Sequence, residues 1–350
     1  MIRFLLFLIM AVSCQNHPEV HVVQKLGPTG TTDFSGEAMT MHYKIIVGAV
    51  LNQDEIHAIK DLIAATFNEV DQVYNKWNLN SEVSHLNRIK SGIKVQISPE
   101  LQRLFNETQL IVELSEGRFD PTIEPLQRLW KINLQEGRTP SQEEIEAIAP
   151  VIGWDKIHVV EGVFSKDHDK TELDFGGIAK GLAIDLLVER FQQKGYRDLF
   201  VEWGGEIRAI GVHPEQRPWT VYISRFGDDD PEHAIDTLFL NNQAIATSGD
   251  YLQNWSISSS PEENRGKIIT YFHIFDSETL HPLKISSTSI ASVSVVAENC
   301  AFADGLATAV MLCPDHASAE AWVRGIIVLY PNVSFWIASR NQVINILNKQ

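Results

Sequence analysis

The sequence predicts an α+β fold in which helices flank mixed or antiparallel sheets. Segments with helical periodicity dominate the first half of the chain, and short strand-like segments dominate the second half. This separation of helices from strands differs from the regular alternation that is typical of parallel βαβ folds. The chain has 350 residues, of which 44% are hydrophobic and 21% charged. It is therefore long enough for one large domain or two moderate ones with a substantial core.

Helix signals come first along the chain. The segment from Gln53 to Lys76 repeats apolar side chains at helical spacing, and Ser98 followed by Pro99 is typical of a helix N-terminus. Ser81 to Asn87 begins with a capping serine and predicts a short helix. Two later helices are expected over 298–312 and 317–324. Strands are expected over 39–50, 157–160, 199–203, 207–212, 219–224, 238–240, 244–247, 268–275 and 290–297.

The N-terminus has the pattern of a targeting segment. Met1-Ile2-Arg3 is a short positive region, and Phe4 to Val12 is an apolar stretch too short to span a bilayer. Ala11-Val12-Ser13-Cys14 resembles a bacterial lipobox, with alanine where leucine is usual, so Cys14 is the expected lipidation site. A plain signal peptide is the alternative. The predicted organisation is a lipoprotein signal peptide over 1–13, a tether over 14–37 and one domain over 38–346.

The charge of the chain limits its partners. A formal net charge of -16 argues against nucleic acid, because phosphate-backbone binding requires a basic surface. A small phosphate-bearing ligand would have to be held by local groups, such as a helix N-terminus, a few lysines or a metal ion.

Two cysteines remain besides Cys14. Cys300 and Cys313 could pair outside the cytoplasm, and two buried free thiols are equally compatible with the sequence. Their spacing is not that of metal ligands.

The segment from Glu172 to Asp185 predicts a short strand, a glycine turn and a helix that continues to about Lys194. Gly176 and Gly177 leave the backbone open to close approach, and the free N–H groups of the helix favour an anion. Lys180 adds a positive charge to the first turn, where the helix dipole disfavours a cation. The segment therefore predicts a polyanion site, although an ordinary turn with a solvated lysine fits the same residues.

Two further patterns carry reactive or metal-binding groups. His273 and Asp276 place an imidazole and a carboxylate at a strand end, where the histidine is either a general base or a structural residue. Asp304 and Thr308 lie one helical turn apart and therefore share a face. Their oxygens, with backbone carbonyl and phosphate oxygens, suit Mg²⁺, and a helix with a small-residue packing face is the alternative.

Eight short motifs occur along the chain between about Gly36 and Ala338. They are Gly36-Glu37-Ala38-Met39, Ser81-Glu82-Val83-Ser84-His85-Leu86-Asn87, Gly117-Arg118-Phe119-Asp120-Pro121-Thr122, Leu173-Asp174-Phe175-Gly176-Gly177-Ile178-Ala179-Lys180-Gly181, Gly204-Gly205-Glu206-Ile207, Ala246-Thr247-Ser248-Gly249-Asp250-Tyr251, His273-Ile274-Phe275-Asp276 and Ala303-Asp304-Gly305-Leu306-Ala307-Thr308. Each motif alone is weak. In this order, the eight resemble the ApbE family, the FAD:protein FMN transferases.

The resemblance implies an ApbE-like fold and an enzyme that is lipid-anchored to the inner membrane on its periplasmic side. It implies Mg²⁺-dependent transfer of FMN from FAD to a threonine hydroxyl of an acceptor protein, such as a subunit of the sodium-pumping NADH:quinone oxidoreductase, with release of AMP. His273 would be the base that activates the threonine. The carbonyl of Gly177 and the side chains of Asp304 and Thr308 would bind Mg²⁺. The residues implied to contact FAD are Met39, Tyr74, Arg118, Phe119, Asp120, Asp174, Lys180 and Phe275.

The chain departs from the family pattern at two turns. The family's Met-Gly-Thr is Met39-Thr40-Met41 here, and its Asp-Pro-x-Thr-Gly is Asp276-Ser277-Glu278-Thr279-Leu280. Two alternatives to the transferase therefore stay open. One is a Mg²⁺-dependent FAD pyrophosphatase that gives FMN and AMP, and the other is a non-catalytic flavin-binding lipoprotein.

Overall fold

The computed structural model describes residues 20–225, 230–249, 254–258, 268–341 and 343–349. The predicted signal peptide, Cys14, Asp250 and Tyr251 lie outside these ranges. The strands are β1 (His21–Lys25), β2 (Thr31–Ala38), β3 (Met41–Val47), β4 (Val95–Gln96), β5 (Ile157–Val160), β6 (Val163–Lys166), β7 (Leu199–Trp203), β8 (Glu206–Ile210), β9 (Trp219–Ile223), β10 (Asp236–Leu240), β11 (Gln243–Gly249), β12 (Asn254–Ser258), β13 (Ile268–Asp276), β14 (His281–Lys284), β15 (Ile290–Ala297), β16 (Ser334–Ser339) and β17 (Ile344–Leu347).

A nine-stranded antiparallel sheet forms the centre of the fold, in the order β1-β2-β3-β7-β8-β11-β15-β16-β17. The other strands form three small antiparallel sheets, β4-β6-β5, β12-β13-β14 and β9-β10. Antiparallel sheets flanked by helices confirm the α+β prediction.

The helices are α1 (Gln53–Val73), α2 (Glu82–Arg88), α3 (Pro99–Leu114), α4 (Glu124–Gln135), α5 (Gln142–Ile148), α6 (Ala179–Gln193), α7 (Cys300–Met311) and α8 (His316–Leu329). Short 3₁₀ turns occur at Ala149–Val151, Trp154–Lys156 and Pro231–His233. The two predicted caps are confirmed, because the hydroxyl oxygens of Ser81 and Ser98 accept backbone N–H bonds from Ser84 and Leu101 at 3.0 and 3.1 Å.

Helices α6 and α7 lie side by side against the central sheet. Helix α6 contacts β7 and β8, whereas α7 contacts β11 and β15 and is covered on its other side by α3. Every residue of α7 is buried except Thr308, which is half-buried. A helix that is apolar on all sides requires such an interior position. Asp304 is consequently one of the few charged groups placed deep in the core.

The segment predicted to be a tether contains two strands of the central sheet. All of β1 pairs with Thr31 to Ser35 of β2, and Thr31, Thr32 and Phe34 are buried. The prediction of a tether as far as residue 37 was therefore wrong over these strands. The threonine, glycine and charged residues of this segment resemble a loop in composition, but the sheet buries one side of β2 and so supplies the stability that composition does not indicate.

Candidate functional site

A lysine held by two buried carboxylates lies at the start of α6. The Lys180 ammonium forms an ion pair with Glu206 and lies 4.0 Å from Asp304 Oδ1. The other oxygen of Asp304 accepts the backbone N–H of Gly181 at 3.1 Å. Glu206 and Asp304 are only 1% and 2% exposed. Two carboxylates therefore share one ammonium in a site that excludes water.

Burial and mutual repulsion change the acid–base properties of this cluster. Burial, together with the charge of Asp304, raises the pKa of Glu206 to about 7, although Lys180 opposes the shift. Burial also raises the pKa of Asp304. Burial alone would lower the pKa of Lys180, but the two carboxylates outweigh it and raise that pKa, so the lysine stays protonated. Additional positive charge would therefore be favourable here.

The three groups implied to bind Mg²⁺ lie on adjacent elements. Thr308 donates its hydroxyl to the carbonyl oxygen of Gly177 at 3.5 Å, and Asp304 precedes Thr308 by one turn of α7. The Ser248 hydroxyl lies 3.1 Å from that of Thr308. The side-chain oxygen Oε2 of the buried Glu206 has no hydrogen-bond partner. This set of hard oxygen donors with excess negative charge fits Mg²⁺. The described residues contain no cluster of three or more His, Cys, Asp or Glu that could hold a metal ion, so the proposed site relies on hydroxyl and carbonyl oxygens beside Asp304.

Two glycines permit the close packing around this site. A Cβ on Gly177 would come within 3.0 Å of both the Phe119 ring and the Thr308 hydroxyl, and a Cβ on Gly181 would overlap the backbone carbonyl of Cys300. The glycine turn therefore brings the Gly177 backbone against α7, as the sequence predicts for a turn that allows close approach.

Asp174, at the start of the glycine turn, is held by a second lysine. Its carboxylate accepts the Gly176 N–H at 2.9 Å and the Lys76 ammonium at 2.7 Å. Lys76 also pairs with Glu124 and donates to Gln127 at 3.0 Å. Sequence reasoning missed Lys76, because a lysine at the end of a helix is ordinarily solvated, and no local pattern indicates its partner.

Tyr74 is placed in the core rather than at the site. It is 4% exposed, and its hydroxyl donates to the Glu100 carbonyl at 3.2 Å. The nearby Trp77 is instead 72% exposed, and the ammonium groups of Lys76 and Lys131 lie 4.8 and 5.4 Å from its ring centroid. Trp77 is thus an accessible aromatic side chain next in sequence to Lys76, which pairs with Asp174. Sequence reasoning missed it, although its position three residues after Tyr74 was the available signal.

The residues of the loop 117–122 lie in different surroundings. Phe119 is buried against Gly177, whereas Asp120 accepts hydrogen bonds from Thr122 and from the Trp154 N–H at 3.1 Å and therefore stabilises the loop itself. The Arg118 guanidinium stacks 5.0 Å from the centroid of the Trp322 ring. It lines a cleft of about 550 Å³ together with residues of the β13–β14 turn and the end of α7.

His273 and Phe275 lie on β13 at different depths. His273 is half-buried with its ring 4.2 Å from that of Phe272, whereas Phe275 is 3% exposed in a cluster with Trp130 and Tyr271. The Asp276 carboxylate accepts the N–H groups of the turn that follows β13, at 2.8 and 3.1 Å. Asp276 therefore stabilises the turn.

At two positions where the resembled family has glycine, this chain has another residue in the left-handed backbone conformation. Thr40, in the β2–β3 turn, has φ 65°, and Leu280, in the β13–β14 turn, has φ 58°. Met39 shares the first turn with φ 47° and is half-buried. The chain thus keeps the backbone conformation that glycine favours without having glycine there.

The two remaining cysteines are free and buried. Burial raises the pKa of both thiols, so neither is poised as a nucleophile. Among the residues that the structure describes, no helix is both long and apolar enough to cross a membrane.

The fold and the site define a class of flavin transferases. Residues 39–328 match the model of the ApbE family. The chain is 36% identical over 299 residues to the FAD:protein FMN transferase of Chlamydia pneumoniae, covering 84% of this chain and 88% of that protein. It is 30% identical to the FAD:protein FMN transferase of Vibrio cholerae, over 84% and 86% of the two chains. The fold is similar to that of Pseudomonas stutzeri flavinyl transferase ApbE in its apo form, with a TM-score of 0.75 and 23% identity over 92% and 97% of the chains. The chain belongs to the ApbE family.

Proposed function

We propose that this protein is an FAD:protein FMN transferase that moves FMN from FAD to a threonine hydroxyl of an acceptor protein and releases AMP. The observation that carries the proposal is the buried group of Lys180, Glu206 and Asp304 beside the glycine turn. The names of the relatives across the family support the same activity. A sodium-pumping NADH:quinone oxidoreductase subunit is the kind of acceptor that we propose.

In this proposal, the pyrophosphate of FAD lies at the N-terminus of α6. The positive end of the helix dipole and the protonated Lys180 would face the phosphate charge. Gly177, Asp304 and Thr308 would hold Mg²⁺, which neutralises the pyrophosphate and favours departure of AMP. Because the pKa of Glu206 is raised to about 7, binding of the metal beside it would favour release of its proton near neutral pH.

We propose Trp77, in place of Tyr74, as the aromatic side chain that stacks on a ring of FAD. Trp77 exposes its ring, whereas Tyr74 is buried. The Lys76 ammonium contacts the Trp77 ring and also donates to Asp174. The exposed ring is therefore connected to the glycine turn through Lys76. Arg118 and Met39 keep their proposed FAD contacts, whereas Phe119 is as buried as Tyr74 and contributes by packing against Gly177. Asp120, Asp174 and Phe275 contribute chiefly through the loops and strand that they stabilise.

We propose His273 as the general base for the incoming threonine. A hydroxyl is a poor nucleophile until its proton is removed, and a positioned histidine contributes about 10²- to 10⁴-fold in rate. His273→Ala should therefore lower FMN transfer by at least about a hundredfold while changing FAD affinity little. His281→Ala is the matched control, because His281 lies on the neighbouring strand β14 and packs against Trp130.

The decisive experiment incubates the purified protein with FAD, Mg²⁺ and an acceptor domain that carries the target threonine. Intact-mass spectrometry should show a gain of one FMN on the acceptor, lost in EDTA and in His273→Ala but kept in His281→Ala. Release of FMN and AMP without modification of the acceptor would instead indicate a pyrophosphatase. Intact bound FAD, with an acceptor that another family member does modify, would indicate a flavin-binding lipoprotein.

We propose that the protein is lipid-anchored at Cys14 to the inner membrane on its periplasmic side. The short apolar stretch and the lipobox-like Ala11-Val12-Ser13-Cys14 support this localisation. Because β1 begins at His21, the folded domain would start a few residues after the anchor.

A further inference from the structure

Helices α6 and α7 are joined at their N-terminal ends by carboxylates that each helix presents to the other. Asp185 on α6 accepts the backbone N–H groups of Cys300 and Ala301, both at 2.9 Å. Asp304 on α7 accepts the N–H of Gly181 on α6 at 3.1 Å. Each carboxylate therefore satisfies free N–H groups in the first turn of the partner helix.

Strand β8 completes this arrangement with a cation. The Nη1 of Arg208 donates to the Asp185 Oδ1 at 2.6 Å. Glu206 and Arg208 are two residues apart on β8, so they share one face of the strand and pair with Lys180 and Asp185 along α6. We call Asp185, Arg208 and the N–H groups of Cys300 and Ala301 the interhelix clasp.

Asp185 is the buried member of the clasp whose two carboxylate oxygens are both engaged. Asp185 is 1% exposed, and both of its oxygens accept hydrogen bonds from α7. A buried carboxylate is costly unless it is paired and hydrogen-bonded, so Asp185 strongly favours the one position of α7 that supplies these N–H groups.

This position of α7 determines where the proposed metal ligands lie. Asp304 follows Cys300 by one helical turn, and Thr308 follows by two. Gly181 allows the backbones of the two helices to approach directly at Cys300. Rotation or sliding of α7 about this contact would move Asp304 and Thr308 together, away from the Gly177 carbonyl.

We infer that Asp185 is a positioning residue for the metal site formed by Gly177, Asp304 and Thr308. The inference rests on the proposed function, because that function supplies the metal. Asp185 binds neither metal nor substrate and acts only through the backbone of α7. Groups that orient metal ligands typically change metal affinity by about 10- to 100-fold when removed.

The test measures metal affinity without turnover. The EDTA-treated full chain is titrated with Mn²⁺, and free Mn²⁺ is measured by electron paramagnetic resonance. Asp185→Asn should weaken binding by about 10- to 100-fold. Glu189→Gln is the matched control, because this α6 carboxylate pairs with Arg103 on α3 and makes no contact with the N-terminus of α7. It should leave Mn²⁺ affinity within about twofold, as expected for a half-exposed ion pair.

Stability is measured on the same variants, because a purely structural residue would lower the unfolding midpoint in EDTA without changing Mn²⁺ affinity. Wild-type affinity in folded Asp185→Asn overturns the inference. If that variant does not fold, Arg208→Gln provides the test, because it keeps the hydrogen bonds of Asp185 to α7 and removes the cation that pairs with Asp185. For Arg208→Gln we expect Mn²⁺ affinity to fall less than in Asp185→Asn but by more than twofold. Unchanged Mn²⁺ affinity overturns the inference.

A parallel titration of Asp304→Asn separates this inference from the proposed function. Loss of Mn²⁺ binding in Asp304→Asn with full binding in Asp185→Asn contradicts only the role of Asp185. Equal, weak binding in wild type and Asp304→Asn contradicts the metal site itself, and the inference falls with it.

Discussion

Glu206 is a buried carboxylate that gives the site a measurable pH signature. Its pKa is raised from 4.5 to about 7 by burial and by Asp304. Between these values the folded state holds a proton that the unfolded state has lost, so the contribution of Glu206 to stability falls as pH rises from about 4.5 to about 7. The full shift corresponds to roughly 3 kcal/mol. In EDTA, the wild type should therefore lose stability relative to Glu206→Gln across this pH window.

Urea unfolding at pH 5, 6, 7 and 8 measures this difference. Glutamine keeps the shape of Glu206 and can still accept a hydrogen bond from Lys180, so the comparison isolates the charge. A difference that stays constant over the window, or that changes with the opposite sign, would show that Glu206 is ionised throughout.

The site depends on the packing of α6 against α7, and substitutions at two glycines test this packing. A methyl group on Gly181 would overlap the Cys300 backbone carbonyl, which cannot move aside as a side chain could. Gly181→Ala should therefore destabilise the protein by about 3 kcal/mol or more and weaken Mn²⁺ binding. Gly325 on α8 has open space around it, so Gly325→Ala should stabilise by about 1 kcal/mol. Similar effects of the two substitutions on unfolding would contradict the close contact of α6 with α7.

The β2–β3 turn gives a second test at the level of an element. Thr40 is exposed and has φ 65°, a conformation that is unfavourable for a β-branched residue by about 1–2 kcal/mol. Thr40→Gly should remove this strain, and after the greater chain entropy of glycine it should stabilise by about 0.5–1 kcal/mol. Thr40→Ala keeps the Cβ and should bring little of this gain. Thermal unfolding compares the two, and an equal gain from alanine would mean that the left-handed backbone is not strained.

Features set by neighbouring residues were more predictable from the sequence than features set by distant ones. The caps at Ser81 and Ser98 and the shared helical face of Asp304 and Thr308 follow from local spacing. The Lys76–Asp174 ion pair joins residues far apart in the chain, so no local periodicity indicates it. The interhelix clasp also joins residues far apart in the chain, so local spacing did not predict it.

Local sequence patterns also did not predict which individual residues are buried. The family resemblance implies that Tyr74 contacts FAD, but a hydrogen bond to the backbone of α3 holds it in the core. Strands β1 and β2 have the composition of a tether, and only pairing with each other and with β3 makes them part of the sheet. Contacts between distant segments decide both cases, and composition does not encode them.

For the whole molecule, we predict that attachment to the membrane depends on Cys14, and the other two cysteines provide the controls. In bacteria fed an alkyne analogue of palmitate, the wild-type protein should become labelled and fractionate with membranes. Cys14→Ser should abolish labelling, because no other cysteine lies in a lipobox-like sequence. Cys300→Ser and Cys313→Ser should both remain labelled, since these thiols are buried in the folded domain and inaccessible to acylation. Labelled Cys14→Ser would show that another residue is acylated, and unlabelled wild type found free in the periplasm would support a plain signal peptide. Because one acyl chain binds a bilayer only marginally, firm membrane association of the labelled protein would further indicate that Cys14 carries more than one chain.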